Sequence, residues 1–164
     1  MRTPGEFPTE IVLRDYRPGD WEAMHALDVQ CFAPEFQFSR RMMRSFAEDQ
    51  GAITLLAFAQ SELAGFCIVQ LEDATGYVVT LDVAESYRRR GIARRLMEEA
   101  ESRVRGAGGV AMALHVFTGN TAAIRFYEKT GYERAGRTDG FYGRNLDALV
   151  YRKRLGRAAP PRYS

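Results

Sequence analysis

A chain of 164 residues with 46% apolar content is long enough for one domain with a sizeable core. A formal charge of +2 excludes bulk attraction to nucleic acid or to an acidic membrane surface, and no apolar run approaches the roughly 18 residues of a membrane span. The two cysteines, Cys31 and Cys67, lie in apolar segments and read as reduced core residues of a cytoplasmic protein; the N-terminus lacks the apolar core of a signal peptide, and no metal is expected.

In chain order, residues 1–9 (with Pro4, Gly5 and Pro8) read as a flexible lead-in, 10–155 as a single domain, and 156–164 as a flexible tail. Ile11 to Tyr16 suits a first strand. Asp20 is placed to cap a helix carrying Trp21, Met24, Leu27 and Cys31 on one side. Ala33-Pro34 ends that helix, and Ser39 caps a second through about Glu48. Ile53 to Ala59 and Leu63 to Leu71 form a hairpin about the polar turn Gln60-Ser61-Glu62. Tyr77 to Val83 has the β-branched composition of a buried strand. Ile92, Leu96, Ala100 and Val104 recur at a spacing of four, the stripe of an amphipathic helix that Gly106, Gly108 and Gly109 end. A strand over Val110 to Val116, a helix from Asn120, and closing strands near Tyr132–Thr138 and Ala148–Arg154 complete the order.

The most informative stretch is Tyr87-Arg88-Arg89-Arg90-Gly91-Ile92-Ala93, where a strand gives way to a helix. The first N–H groups of a helix have no partner within it, and the helix dipole favours negative charge there. Gly91 lets an anion approach the backbone, having no Cβ in the way. The clustering of Arg88, Arg89, Arg90, Arg94 and Arg95 suits a small polyanion better than a long nucleic-acid track. The loop is neither G-x-x-x-x-G-K-[ST] nor G-x-G-x-x-G.

It does match the R-x-x-G-x-[GA] pattern of the GNAT superfamily of N-acetyltransferases, with Arg88, Gly91 and Ala93 in the defined places. Residues 114–132, from Leu114-His115-Val116 through Asn120 to Phe126-Tyr127-Glu128-Lys129-Thr130-Gly131-Tyr132, resemble the second hallmark of that family at the right distance. Together the motifs cover roughly half the chain and are similar to those of RimI-like and other protein N-terminal acetyltransferases. The resemblance implies the acyl-CoA N-acyltransferase fold, an α/β mixed sheet in the order β-α-α-β-β-β-α-β-α-β-β. It implies acetyl-CoA as co-substrate, an amine acceptor, a monomer or homodimer, and no nucleic-acid or membrane partner.

In that family the fourth and fifth strands splay and the pantetheine arm enters between them as an added strand would. By the resemblance, backbone groups of Leu81 and Val83 hold pantetheine, those of Arg89, Arg90, Gly91, Ile92, Ala93 and Arg94 hold pyrophosphate beside Arg88, and Asn120 contacts the cofactor while capping its helix. Tyr127 matches the tyrosine that protonates the departing thiolate, and the Val83 region supplies an N–H to the thioester oxygen. His115 replaces the Glu of the RimI-type Leu-Glu-Val stretch. Certain eukaryotic N-terminal acetyltransferases also carry Leu-His-Val there, with a tyrosine on the preceding strand, here Tyr77. His115 and Tyr77 are therefore expected to hold a water that relays the amine proton. Asp82, which alternates away from the Leu81 and Val83 side chains, is the rival base.

An α-amine of pKa near 7.7–8.0 costs about 1–1.4 kcal/mol to deprotonate at pH 7, and a lysine near 10.4 roughly 4.6 kcal/mol. An imidazole suits the smaller task. Phe141-Tyr142…Asp147-Ala148 resembles the closing hairpin of RimI and its relatives, so Tyr142 and Phe36, with Phe32 nearby, are expected on the acceptor side. Glu85 stands where a proline often follows the fourth strand, a departure expected to alter only the turn. The alternatives are a small amine acceptor (a polyamine, an aminoglycoside or an amino acid) and a CoA-binding sensor without catalysis.

Overall fold

The computed structural model describes residues 10–156. The lead-in expected over 1–9 and the tail expected from 156 onward lie outside the described residues, apart from Gly156.

The elements are β1 (Ile11–Asp15), α1 (Trp21–Cys31), α2 (Arg40–Ala47), β2 (Ala52–Ala59), β3 (Glu62–Glu72), β4 (Thr75–Val83), α3 (Ile92–Gly106), β5 (Ala111–Phe117), α4 (Thr121–Lys129), β6 (Glu133–Gly143) and β7 (Leu146–Arg154). Their order is the one expected. The strands form one seven-stranded sheet, β1-β2-β3-β4-β5-β7-β6, antiparallel except for the parallel β4–β5 pair. Helices cover both faces of the middle of the sheet, so β2 and β3 bury both sides there and read as near-continuous apolar runs, while the edge strands β1 and β6 stay partly exposed. On one face Met24, Leu27, Met43 and Ala47 of α1 and α2 pack on Leu56, Phe66 and Ile68. On the other, the α3 stripe of Ile92, Leu96, Ala100 and Val104 is buried against Leu55, Cys67, Val69 and Val78. Each large apolar side chain sealed in this way contributes about 1.5–3 kcal/mol.

Two local expectations change. Asp20 makes no side-chain cap; its carboxylate takes both guanidinium nitrogens of Arg14, at 2.7 and 3.0 Å, and the Arg17 N–H. A bidentate charged pair outcompetes a neutral N–H for the same oxygens. Ser39, with no such competitor, caps α2 as expected through the Met42 N–H. The closing hairpin is also longer than its apolar pattern suggested. β6 continues to Gly143, and residues 139–142 bulge out of register between the Thr138–Ala148 and Gly143–Leu146 pairs.

Two irregularities in the sheet open the site. β4 and β5 pair only over Thr75–Val78 and Ala111–Leu114, and beyond that β4 follows β3 while β5 follows β7. Within β4, Val69 pairs with Val78 and Ile68 with Thr80, so Val79 is an extra, unpaired residue. This bulge shifts the side-chain alternation. Before it Val78 faces the α3 layer; after it Leu81 and Val83 do, while Val79 packs toward α1 and α2.

Candidate active site

The anion loop follows from backbone conformation. After a short 3-10 turn at Glu85–Tyr87, Arg89 has φ +64° and Gly91 φ +77°, and α3 starts at Ile92. The left-handed turn at Gly91 is the conformation glycine tolerates, and no atom lies within 4 Å of where its Cβ would stand. Among the described residues the backbone N–H groups of Arg89 through Arg94 have no hydrogen-bond partner; the first helical bond runs from Arg95 N–H to the Gly91 carbonyl. Unpartnered N–H groups at a helix start have the geometry that suits an anion. The arginine side chains are less uniform than the cluster suggested. Arg88 Nε donates to the Val83 carbonyl at 3.1 Å, pinning the loop to the end of β4, and Arg95 reaches back to the Ile11 carbonyl. Arg90 lies over the Tyr87 ring, and Arg94 pairs with Glu98.

A cavity of about 390 Å³ lies where β4 and β5 part. Val78 to Leu81 form one wall, His115 to Phe117 with Asn120, Ala123 and Tyr127 the other, and Cys31, Phe32, Ala33, Phe36, Phe38 and Tyr142 the mouth. Ala84 N–H bonds to the Ala64 carbonyl of β3. By strand alternation Leu81 and Val83 therefore turn their backbone groups away from β3 and into the opening. The Val83 carbonyl is already taken by Arg88 and by the Cys31 thiol, which leaves its N–H as the group available there. Asn120 caps α4 by accepting from Ala123 N–H at 3.2 Å, and its amide NH₂ remains for the cavity it lines.

Tyr127 is 7% exposed and lies between Phe126 and Tyr132, with ring centroids 5.3 and 5.5 Å away. Burial pushes its phenol well above the usual value, so it stays protonated at any physiological pH. Among the described residues its hydroxyl has no hydrogen-bond partner, although the side chain lines the cavity.

His115 Nδ1 is 2.8 Å from the Tyr77 hydroxyl, a direct bond in place of the water expected between them. Parallel pairing puts Tyr77 opposite Ala113, close enough for the two rings to meet. Nε2 lies 3.3 Å from Thr138 Oγ1, a long contact for this donor and acceptor and the looser of the two. Burial lowers the His115 pKa below its ordinary 6.5 and raises that of Tyr77. The ring therefore stays neutral at pH 7. Asp82, the rival base, is 1% exposed on the α1 side of β4 and does not line the cavity.

Phe36 meets Phe117 at 4.8 Å and Tyr142 at 5.1 Å across the mouth. Sequence reasoning passed over Thr138, Phe117 and Phe141. Phe117 was within reach of it, since it lies two residues beyond His115 on the same strand face. Phe141 stacks on His115 at 4.0 Å with the rings 2° from parallel, because the β6 bulge folds it back. Asp147 holds that bulge through Gly140 N–H and Arg137. Among the described residues no group of three or more His, Cys, Asp or Glu side chains is arranged to hold a metal ion.

Comparison with known proteins bears directly on this arrangement. Residues 21–132 match the Acetyltransferase (GNAT) family. "[Ribosomal protein bS18]-alanine N-acetyltransferase" of Salmonella typhimurium is 31% identical over 103 residues, covering 60% of this chain and 68% of that protein. "Probable N-acetyltransferase san" of Drosophila melanogaster is 29% identical over 119 residues, 68% of this chain, and the match spans less than two thirds of that relative, 65% of its length. Among solved structures, the ribosomal-protein-S18-alanine N-acetyltransferase of Escherichia coli superposes with a TM-score of 0.81 at 21% identity, covering 94% of this chain and all of that one. With the loop, the strand splay and the matched span in register, the chain belongs to the GNAT family of acetyltransferases.

Proposed function

We propose that this acetyltransferase moves the acetyl group of acetyl-CoA to the α-amine of a protein or peptide N-terminus. The observation that carries this reading is the cavity lining, which contains His115 but no Asp, Glu, Lys or Arg, and which has an aromatic mouth of Phe32, Phe36, Phe38 and Tyr142. A polyamine or aminoglycoside carries several cations and needs acidic partners that this wall lacks. A peptide N-terminus brings one weakly basic amine that enters neutral, with an apolar first side chain to cover the rings. The similarity to an enzyme named for alanine N-acetylation of a ribosomal protein supports the same class of acceptor.

In the proposed reaction the loop N–H groups hold the pyrophosphate, and Leu81 and the Val83 N–H guide the pantetheine arm. The neutral amine attacks the thioester carbon directly, with no acyl-enzyme. Both cysteines are free, but burial raises the Cys31 and Cys67 thiols to about 11 and about 12, so neither is a thiolate nucleophile. The amine proton passes through water to His115 Nε2, displacing the loose Thr138 contact, while Tyr77 fixes the ring through Nδ1. As the C–S bond breaks, Tyr127 delivers its proton to the sulfur, and the thiol of CoA leaves. Free cysteines also fit a reducing, cytoplasmic setting. No helix among the described residues is long and apolar enough to cross a membrane.

The test uses two matched peptide sets with acetyl-CoA and mass spectrometry, one with a free α-amine and no lysine, the other N-blocked with internal lysines. Turnover confined to the first set is expected. Turnover of neither, with acetyl-CoA still bound, moves the acceptor to small amines or the protein to a sensor role.

A pH dependence follows from the same geometry. Desolvation disfavours the imidazolium, so the protonated, inactive form of His115 accumulates only below pH 6.5. The acid limb of kcat/KM set by the enzyme is expected below that value, distinct from the acceptor amine's own limb near 7.7–8.0. His115→Ala is expected to remove the lower limb and to cut kcat about 100-fold or more. An enzyme limb above pH 7 means that another group is the base.

A further inference from the structure

Two carboxyl groups lie sealed beneath the acceptor wall and take no part in the chemistry above. Asp28, in the last turn of α1, is 0% exposed, and Asp82, on β4 beyond the Val79 bulge, is 1% exposed. Each has one satisfied oxygen. Asp28 Oδ2 accepts from Phe38 N–H at 2.9 Å, and Asp82 Oδ1 accepts a short hydrogen bond from the Thr80 hydroxyl. Each also has one buried oxygen, Asp28 Oδ1 and Asp82 Oδ2, with no donor. An ionised carboxylate is acceptor-only, so two of them facing each other leave both oxygens unsatisfied and two like charges buried. One proton between them removes both penalties. Among the described residues no Lys, Arg or His forms an ion pair with either carboxyl. Cys31 from α1, Cys67 from β3 and Tyr127 from α4 lie near enough to feel the Asp82 carboxyl and are themselves neutral, while the Arg88 guanidinium is turned to the Val83 carbonyl and pairs with neither carboxyl.

The links of this pair run to both sides of the acceptor mouth. Phe38 ends the connector that carries Phe32 and Phe36, and Thr80 lies in the β4 wall. Gln37 fastens the same connector to the Phe32 carbonyl. We propose that Asp28 and Asp82 share a single proton and act as positioning residues, locking the Phe32–Phe38 connector onto β4 so that the acceptor wall is held in place. The kinetic consequence rests on the peptide-acceptor reading; the structural one does not. Burial and the partner carboxylate hold the Asp82 carboxyl well above the usual range, which is the direction a shared proton requires.

The sign of the pH effect is fixed. The folded pair keeps a proton that the unfolded chain releases near its ordinary value of about 3.9, so the pair's contribution to stability is complete below that pH. It declines as pH rises through the folded value. Asp28→Asn imitates the protonated state permanently, its carbonyl oxygen accepting from Phe38 N–H and its NH₂ donating to Asp82 Oδ2.

The experiment follows the carboxyl carbons of the ¹³C-aspartate-labelled chain by NMR against pH, together with amide exchange at Phe38 and steady-state kinetics. In the native chain one coupled titration well above the ordinary carboxylate range is expected, and in Asp28→Asn it is absent. As the pair loses its proton, Phe38 exchange accelerates and the acceptor KM of the native enzyme rises relative to Asp28→Asn, with the acetyl-CoA KM unmoved. Asp28→Ala raises acceptor KM about tenfold at every pH. Ionisation of both carboxyls below pH 5 overturns the proposal, as does a native-to-variant KM ratio that stays flat through the titration. If no peptide is turned over, the peptide reading fails, while the NMR and exchange arms still decide for or against the pair.

Discussion

Replacing Gly91 with glutamate is expected to abolish acetyl-CoA binding while leaving the fold intact. Two effects act at this residue, and they fall on different observables. The first is conformational. At φ +77° any residue with a Cβ is strained by about 1–2 kcal/mol. No protein atom crowds the added Cβ, so this strain is the whole structural cost, and Tm falls by only about 2–8 °C. The second is electrostatic. The unpartnered N–H groups of Arg89 through Arg94 are the proposed pyrophosphate donors, and a carboxylate beside them both repels a pyrophosphate and competes for the same donors. The Kd for acetyl-CoA is expected to rise at least about 100-fold, roughly 2.7 kcal/mol, by titration calorimetry. Gly91→Ala isolates the strain and is expected to stay within about tenfold of native binding. Undiminished binding in the glutamate variant places the cofactor's phosphates elsewhere.

Tyr127→Phe separates a proton donor from a packing residue. The ring is nearly sealed and packs on Phe126 and Tyr132, contacts that phenylalanine reproduces. The hydroxyl contributes no protein hydrogen bond among the described residues, so its removal costs none. Tm is therefore expected to stay the same or to rise slightly. Burial keeps the phenol protonated, so the role proposed for it at the cavity wall is donation, and a well-placed general acid contributes about 10²–10⁴ in rate. kcat is expected to fall by at least about 100-fold, with acetyl-CoA affinity changed by less than threefold. Loss of affinity with kcat retained reassigns Tyr127 to cofactor positioning, and no change in either makes it a core residue.

The two variants differ in what they report about the chain. Gly91 acts through three or four consecutive residues, and Tyr127 through one face of one helix. Features of that range are legible in the amino-acid sequence. A strand-to-helix junction with a glycine, a stripe at a spacing of four, Ser39 ahead of its helix, and the register of Asn120 with Tyr127 are all decided within a few residues, where backbone sterics and helical periodicity dominate. Asp20 marks the limit of that reasoning, because its partner Arg14 comes from β1 and a charged bidentate bond outweighs a local cap.

The amino-acid sequence by itself therefore determined the element order and the glycine turn that starts α3, and the resemblance of its motifs was enough to expect His115 and Tyr127 at the parting of two strands. The tertiary structure alone decided how the groups around them meet. The Val79 bulge put Leu81 and Val83 on the α3 face and so Asp82 on the face that meets α1, and the parallel register brought Tyr77 directly onto His115. The 139–142 bulge laid Phe141 over the imidazole, and the packing of α1 against β4 set Asp28 against Asp82. A strand's side chains alternate with a period of two, so one inserted residue exchanges its faces. That insertion is fixed by pairing with a distant strand, and nothing in the local run of residues announces it.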